Sequence, residues 1–213
     1  MKFTKYTHAC VRLDDGGRTL VIDPGAFSEL DEALDGADAV LITHEHVDHL
    51  DLNRVLSAAE QNPHLRVWAP QSLADSFAPL QERFAVAAVG ENFEAAGFAV
   101  QTFGGQHAVI HSSIPVISNV GYLIDDHLYH PGDSFAVPTV PVQTLLVPIH
   151  APWSKVSEVI DFVIAVRAPQ AFQVHDGLLN ELGLGVVEGH VTRIGAEHGS
   201  SYRHLAPRET LTL

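Results

Sequence analysis

Short apolar runs recur along the chain between clusters of Gly, Pro and Asp, and most are too short and too rich in β-branched residues for helices. Residues 3–6, 9–13, 19–22 and 39–42 read as strands. Asp14-Asp15-Gly16-Gly17 reads as a turn, because Asp and Gly tolerate positive φ. Residues 26–38 are acidic and read as loop with one helical turn. Leu52, Val55, Leu56 and Ala59 then share one face at a 3.6-residue period, which predicts a helix over 52–61, capped by Asp51 and stopped by Pro63. Residues 66–69 read as a strand and 72–80 as a helix despite Pro79. Residues 84–89 and 98–103 read as strands, with a turn at Ala96-Gly97. A hairpin over 120–124 and 127–129 turns at Asp125-Asp126, and 144–149 is a buried strand. Val156, Val159, Ile160, Val163 and Ile164 predict a helix packed on a sheet, with Ser154 as its cap. A strand over 171–174 follows, then a weak helix and a short terminal strand within 178–213. Strands first, then helix and strand in alternation, then strands again predict an α/β domain of two sheets with helices outside.

Composition narrows the class. The 213 residues suffice for one large domain, spanning 1–213, and no repeat, low-complexity segment or linker divides it. Hydrophobic residues at 46% and charged residues at 18% are ordinary for a globular chain. No apolar run reaches the ~18 residues of a transmembrane helix. The first residues lack the apolar stretch of a secretory signal, and the single cysteine, Cys10, excludes an internal disulfide. Together these predict a cytoplasmic protein with no membrane partner. Lys and Arg number 12 against 26 Asp and Glu, a formal net charge of −14. That field repels a phosphate backbone and disfavours nucleic acid. A small molecule remains the expected substrate; the oligomeric state is open.

Candidate chemistry gathers where the strand over 39–42 ends. His44, His46, Asp48 and His49 fall within six residues. Imidazoles and a carboxylate are costly to bury without hydrogen bonds or a cation. A divalent metal suits both ligand types. Three later strand ends carry the same residue types: His107, Asp133 and His175. Five histidines and two aspartates are about what a two-metal site requires.

The pattern His44-x-His46-x-Asp48-His49, followed by His107, Asp133 and His175, resembles the metallo-β-lactamase fold superfamily over essentially the whole chain. Thr7-His8-Ala9, Asp23-Pro24 and His130-x-Gly132-Asp133 resemble the small metal-dependent hydrolases related to ascorbate-6-phosphate lactonases. The resemblance implies a four-layer αββα sandwich. It implies that His44, His46 and His107 hold one metal, that Asp48, His49 and His175 hold the second, and that Asp133 bridges them. His111 rivals His107, which is preferred because it directly follows a strand and the Gly104-Gly105 turn. Two divalent ions are implied, zinc by the histidine-rich set, with manganese or iron compatible with the two carboxylates. The implied reaction is hydrolysis of a small ester, lactone or phosphoester by a hydroxide formed between the two ions. Asp48 would orient that nucleophile or relay its proton. A phosphodiesterase or nuclease of the same fold and a non-catalytic, metal-stabilised binding module are the alternatives.

Other residues carry two readings each. His8 and His130 either orient ligands through hydrogen bonds or are satisfied core histidines. His150 and Trp153 either line a substrate pocket or belong to a structural loop. Residues 111–118 form either a lip over the site or a surface connection. Asp176 and Gly177 are placed to support His175, Glu45 to face solvent, and Cys10 to be a buried apolar residue.

Overall fold

The computed structural model describes residues 1–213. The first sheet contains β1 (Lys2–Lys5), β2 (Val11–Asp15), β3 (Arg18–Ile22), β4 (Ala39–Leu41), β5 (Arg66–Ala69), β6 (Phe84–Val86) and the last strand, β14 (Thr210–Thr212), in the order β14-β1-β2-β3-β4-β5-β6. The second contains β7 (Asn92–Ala95), β8 (Phe98–Gly104), β9 (Val120–Ile124), β10 (Leu128–His130), β11 (Thr144–Pro148), β12 (Gln170–Val174) and β13 (Ser201–Arg203), in the order β13-β12-β11-β10-β9-β8-β7. Hairpin-linked strands pair antiparallel. The runs β3 to β6 and β10 to β13 pair parallel, as helical or long connections require. The helices are α1 (Leu30–Ala33), α2 (Leu52–Gln61), α3 (Val156–Val166) and α4 (Glu181–Glu197). None is long and apolar enough to cross a membrane.

Strand alternation builds the layers. Leu20, Ile22 and Leu41 point between the sheets and meet Phe98, Tyr122, Leu146 and Phe172. Val21, Val40 and Val67 point the other way, onto Val55 and Ala59 of α2. On the far side, Leu123, Leu145 and Val147 pack against Val159, Phe162 and Val163 of α3 and Val191 of α4. The result is helix, sheet, sheet, helix: the expected four-layer sandwich.

Four local expectations need correction. Residues 71–83 form two short 3₁₀ turns, Gln71–Leu73 and Ala78–Arg83, not a helix over 72–80. Pro79 removes an amide donor and restricts the residue before it. The run over 84–89 is strand only to Val86, and a strand unread in the sequence, β7, pairs with β8 around the Ala96-Gly97 turn. Ser154 does not cap α3, because its hydroxyl is spent on the Ala151 backbone; Lys155 occupies the cap, its N–H donating to Glu158 at 2.8 Å. The C-terminal helix is long rather than weak. Glycines at 183, 185, 189 and 195 lower its intrinsic propensity, but Asn180 caps it through the Gly183 N–H, and its own Val191 and Gly195 are buried.

The topology brings the candidate chemistry to one edge. β8 and β10 are both antiparallel to β9 and so run the same way, and β10, β11 and β12 are parallel. The segments after β8, β10 and β12, carrying His107, Asp133 and His175, therefore leave one edge of the second sheet. The two sheets are tied there. The Val120 N–H donates to the Thr43 carbonyl at 2.9 Å, and the Tyr122 hydroxyl to the Ile42 carbonyl at 2.7 Å.

Candidate metal centre

The segment after β4 delivers His44, His46, Asp48 and His49 in one tight loop. Gly25 permits it: a Cβ there would lie 1.8 Å from the Asp48 carbonyl oxygen. Two groups of potential ligand atoms result, each with all members within 4.8 Å of one another. One is His44, His46, His107 and Asp133; the other is His8, Asp48, His49 and His175. Asp133 lies between them. Its Oδ2 is 3.3 Å from His107 Nε2 and 3.2 Å from His175 Nε2, and its Oδ1 is 3.0 Å from His49 Nε2.

Hydrogen bonds fix which nitrogen of each ring faces the centre. His49 Nδ1–H donates to Asp23 Oδ2 at 2.6 Å, His107 Nδ1–H to the Ala108 carbonyl at 2.6 Å, and His175 Nδ1–H to the His150 carbonyl at 2.6 Å. Thr43 spends its hydroxyl proton on Asp23 Oδ2, so Thr43 Oγ1 is left to accept from His44 Nδ1–H at 3.0 Å. In each neutral ring the lone pair is then on Nε2. His44 Nε2 and His46 Nδ1 approach to 3.2 Å. His49 Nε2, His107 Nε2, His175 Nε2 and Asp133 Oδ1 are buried without a hydrogen-bond partner. Buried polar atoms are seldom left so. Inward-facing lone pairs around shared carboxylates are the donor set of a histidine-rich divalent cation site, so these residues fit such ions.

His8 belongs to the second group by distance but not by chemistry. The Gly177 N–H donates to His8 Nδ1 at 3.1 Å, so the neutral ring carries its proton on Nε2 and donates it to Asp48 Oδ2 at 3.0 Å. It orients Asp48 and has no lone pair to offer. The same corner is anchored from below. The buried Lys5 ammonium donates to both Asp176 oxygens at 3.0 Å. Asp176 also accepts from the His8 N–H, and the His175 N–H donates to the His8 carbonyl at 3.0 Å. His8 and His175 both hold left-handed backbone (φ 67° and 59°) within this network.

In the bare chain the charges are strongly coupled. Burial pulls His44 well below the ordinary histidine range, and His49 and His107 reinforce it. Burial also works against a charged His49, but Asp133 and Asp23 prevail and raise it well above that range. His175 is pushed up to about 9, burial being outweighed by Asp133 and Asp48. Both aspartates fall below the usual carboxylate range despite burial: Asp48 through His175, whose Nε2 lies 3.4 Å from its Oδ2, and the hydrogen bond from His8, Asp133 through the charges on His49 and His175.

The remaining candidates separate. His111 is exposed and bonded to Ser113 at 2.7 Å, outside both groups, so it does not rival His107 in place. His130 is fully buried under the site. It donates from Nε2 to the Ala9 carbonyl and accepts from the Gly132 N–H, which ties the Asp133 loop to the first sheet; it lines no pocket. His150 acts through its backbone carbonyl, on His175. Trp153 donates its indole N–H to Asp133 Oδ2 at 2.9 Å and lies edge-on to His107. Glu45 is exposed and Cys10 buried, as expected. Three supporting residues had no stated role in the sequence. Asp23 and Thr43 set the rings of His49 and His44. Asn119 accepts the Asp133 N–H at 2.9 Å and donates to the Pro131 carbonyl. Asp23-Pro24 was legible as a strand end and as part of the resemblance, not as the partner of His49.

Two seven-stranded sheets between helices, with histidines and aspartates converging at their joined edge, define a protein of the metallo-β-lactamase fold. The Beta-lactamase superfamily domain profile matches residues 2–175, and the chain belongs to that family. Protein Rv0786c of Mycobacterium tuberculosis is 38% identical over 200 residues, covering 91% of this chain and 92% of its own. A UPF0173 metal-dependent hydrolase of Aeropyrum pernix is 28% identical over 151 residues, covering 62% of this chain and 61% of its own. Igni18, described as a novel metallo hydrolase from Ignicoccus hospitalis, shares the fold. Its TM-score is 0.75 at 17% identity, over 99% of this chain and 97% of that one.

Proposed function

We propose that this chain is a metal-dependent hydrolase whose site holds two divalent cations and acts on a small ester, lactone or phosphoester. The observation that carries the reading is the placement of Asp133 between two groups of inward-facing, unpartnered imidazole nitrogens. His44, His46 and His107 would hold one cation, Asp48, His49 and His175 the other, and Asp133 would be shared. Zinc fits the histidine-rich set best. Such a pair, when bound, lowers the pKa of water toward neutrality and polarises the substrate oxygen.

The chain's own residues do the rest. Asp23, Thr43 and the Ala108 and His150 carbonyls hold four imidazoles in one tautomer each, so the site is set before substrate arrives. Asp48 is half-buried while His49, Asp133 and His175 are buried. Its carboxylate therefore meets the open side of the site, where it can accept a hydrogen bond from the attacking water and aim it. His8 keeps that carboxylate in place. Trp153 draws on Asp133 from the second sheet's loop and covers His107.

The test is turnover of a panel of lactones, carboxylic esters and phosphoesters by metal-replete protein, before and after chelation. Hydrolysis of at least one class, lost on chelation and restored by zinc, manganese or iron, is expected. No turnover by metal-replete protein, with chelation lowering only the melting temperature, would favour a binding module.

A further inference from the structure

Seven candidate ligands meet in the site, but only His46 and Asp48 are partly exposed; the others are buried. The site therefore opens on their side. Exposed apolar residues flank the ligands along the chain there. Val47, between them, is 62% exposed. Phe27 is 45% exposed, with its ring edge-on to His8 at 5.2 Å. Val109 and Ile110 follow His107 and Ala108, whose N–H is fixed to the Asp133 carbonyl at 2.8 Å, and both project from an exposed stretch over 109–116. Trp153 lies edge-on to His107, and Leu178, three residues past His175, is 49% exposed.

The loops that carry the ligands have no lysine or arginine, and the basic residue nearest Trp153 along the chain is the exposed Lys155 at the end of its loop. No lysine or arginine occurs in residues 19–53, 84–154 or 168–192, the segments that carry all seven ligands and their flanking loops. Lys5 lies behind the site, and its ammonium is committed to Asp176 and the Tyr6 carbonyl. Glu45 is exposed at the mouth and has the wrong sign for an anion. Sites that recognise phosphate or carboxylate use arginine forks or lysine ammonium groups. Apolar walls with few polar groups recognise apolar ligands. Metal cations would be common to both substrate kinds, so the rim decides between them.

We propose that the substrate is an uncharged carboxylic ester or lactone with an apolar chain lying along Val47, Val109, Ile110 and Trp153, and not a phosphoester. This rests on the hydrolase reading above and narrows it. In the reaction a water oxygen bonds to the carbonyl carbon and the acyl C–O bond breaks. The leaving oxygen takes one proton of that water, and the other is released as the acid ionises. An ester yields a carboxylate and an alcohol, a lactone one hydroxy acid.

The experiment compares metal-replete protein on p-nitrophenyl esters from acetate to octanoate, p-nitrophenyl phosphate and bis(p-nitrophenyl) phosphate. Calorimetric binding of 2-decanone, an uncharged and unhydrolysable ester analogue, is measured beside n-octyl phosphate. Expected are kcat/KM rising about tenfold or more with acyl length, as methylenes in an apolar pocket allow, and tighter binding of the ketone than of octyl phosphate. The double variant Val109→Ser, Ile110→Ser, altered only at exposed positions, should flatten the chain-length dependence. Faster turnover of either phosphoester than of any ester, tighter binding of octyl phosphate, or a chain-length dependence unchanged in the double variant would overturn the proposal. If nothing is turned over, the hydrolase reading falls, and the ketone and phosphate titrations still decide the character of the rim.

Discussion

Replacing Asp23 by asparagine tests the support of the centre without touching a proposed ligand. Asp23 is fully buried and accepts three hydrogen bonds: Thr43 N–H at 2.7 Å, Thr43 O–H at 2.6 Å and His49 Nδ1–H at 2.6 Å. Asparagine has nearly the same shape. Its oxygen can still accept from the Thr43 N–H, but its amide then presents N–H groups to His49 Nδ1. Two donors cannot face each other, so His49 must carry its proton on Nε2, and the lone pair aimed at the centre disappears. Partners that fix a ligand's tautomer are worth roughly 10–100-fold in metal affinity, or about 1.4–2.7 kcal/mol. The metal-free fold also loses a charge-assisted hydrogen bond, about 1.5–3 kcal/mol. Chelator competition with zinc measures the first quantity. Nitrogen-15 NMR of the His49 ring in the zinc-loaded protein, where the ring is neutral, reports which nitrogen carries its proton. Affinity within about twofold of the parent, against the 10–100-fold expected, with His49 still protonated on Nδ1, would refute the reasoning.

His8→Ala should weaken the ion held by Asp48 by a similar 10–100-fold, and His8→Gln, whose amide can still donate to Asp48, should restore part of that; equal chelator-competition curves for His8→Ala and the parent would contradict it. In the bare chain His175, raised to about 9, contributes stability that is complete below the unfolded histidine value of about 6.5 and is lost as pH rises through about 9. A bound ion needs the neutral ring, so zinc uptake at neutral pH should release protons and tighten as pH rises toward 9; calorimetry in two buffers of different ionisation heat counts them, and zero release would contradict the assignment. Gly132 has φ +62°, and a Cβ there would lie 2.3 Å from Asn119 Oδ1. Gly132→Ala should cost about 1–2 kcal/mol for the left-handed backbone and about 1–3 kcal/mol for overpacking. A thermal melt that did not move would contradict this.

Elements with a clear period were legible. Short apolar runs bounded by turn residues located β3, β4, β9 and β11, and the stripe from Val156 to Ile164 located α3. What escaped was decided by tertiary packing. Glycines obscured α4, whose stability comes from burial against α3 and the second sheet. The strand β7 is short and polar at alternate positions, and it is fixed mainly by its pairing with β8. The candidate ligands were legible because ligand-type residues stand at successive strand ends, and the structure brings all seven together. Their supports were not. Asp23 acts on Thr43 and His49 from 20 and 26 positions away, and Asn119 on Asp133 from 14, which no local pattern encodes. His8 was visible as a motif residue, but its role follows only from the Gly177 N–H on its second nitrogen.

Elemental analysis of metal-replete protein, parent beside Asp133→Ala, bears most directly on the shared site. Two metal ions per parent chain and one or fewer in the variant are expected, since Asp133 is the carboxylate within reach of imidazoles from both groups. A single ion in the parent, or two retained without Asp133, would contradict the account.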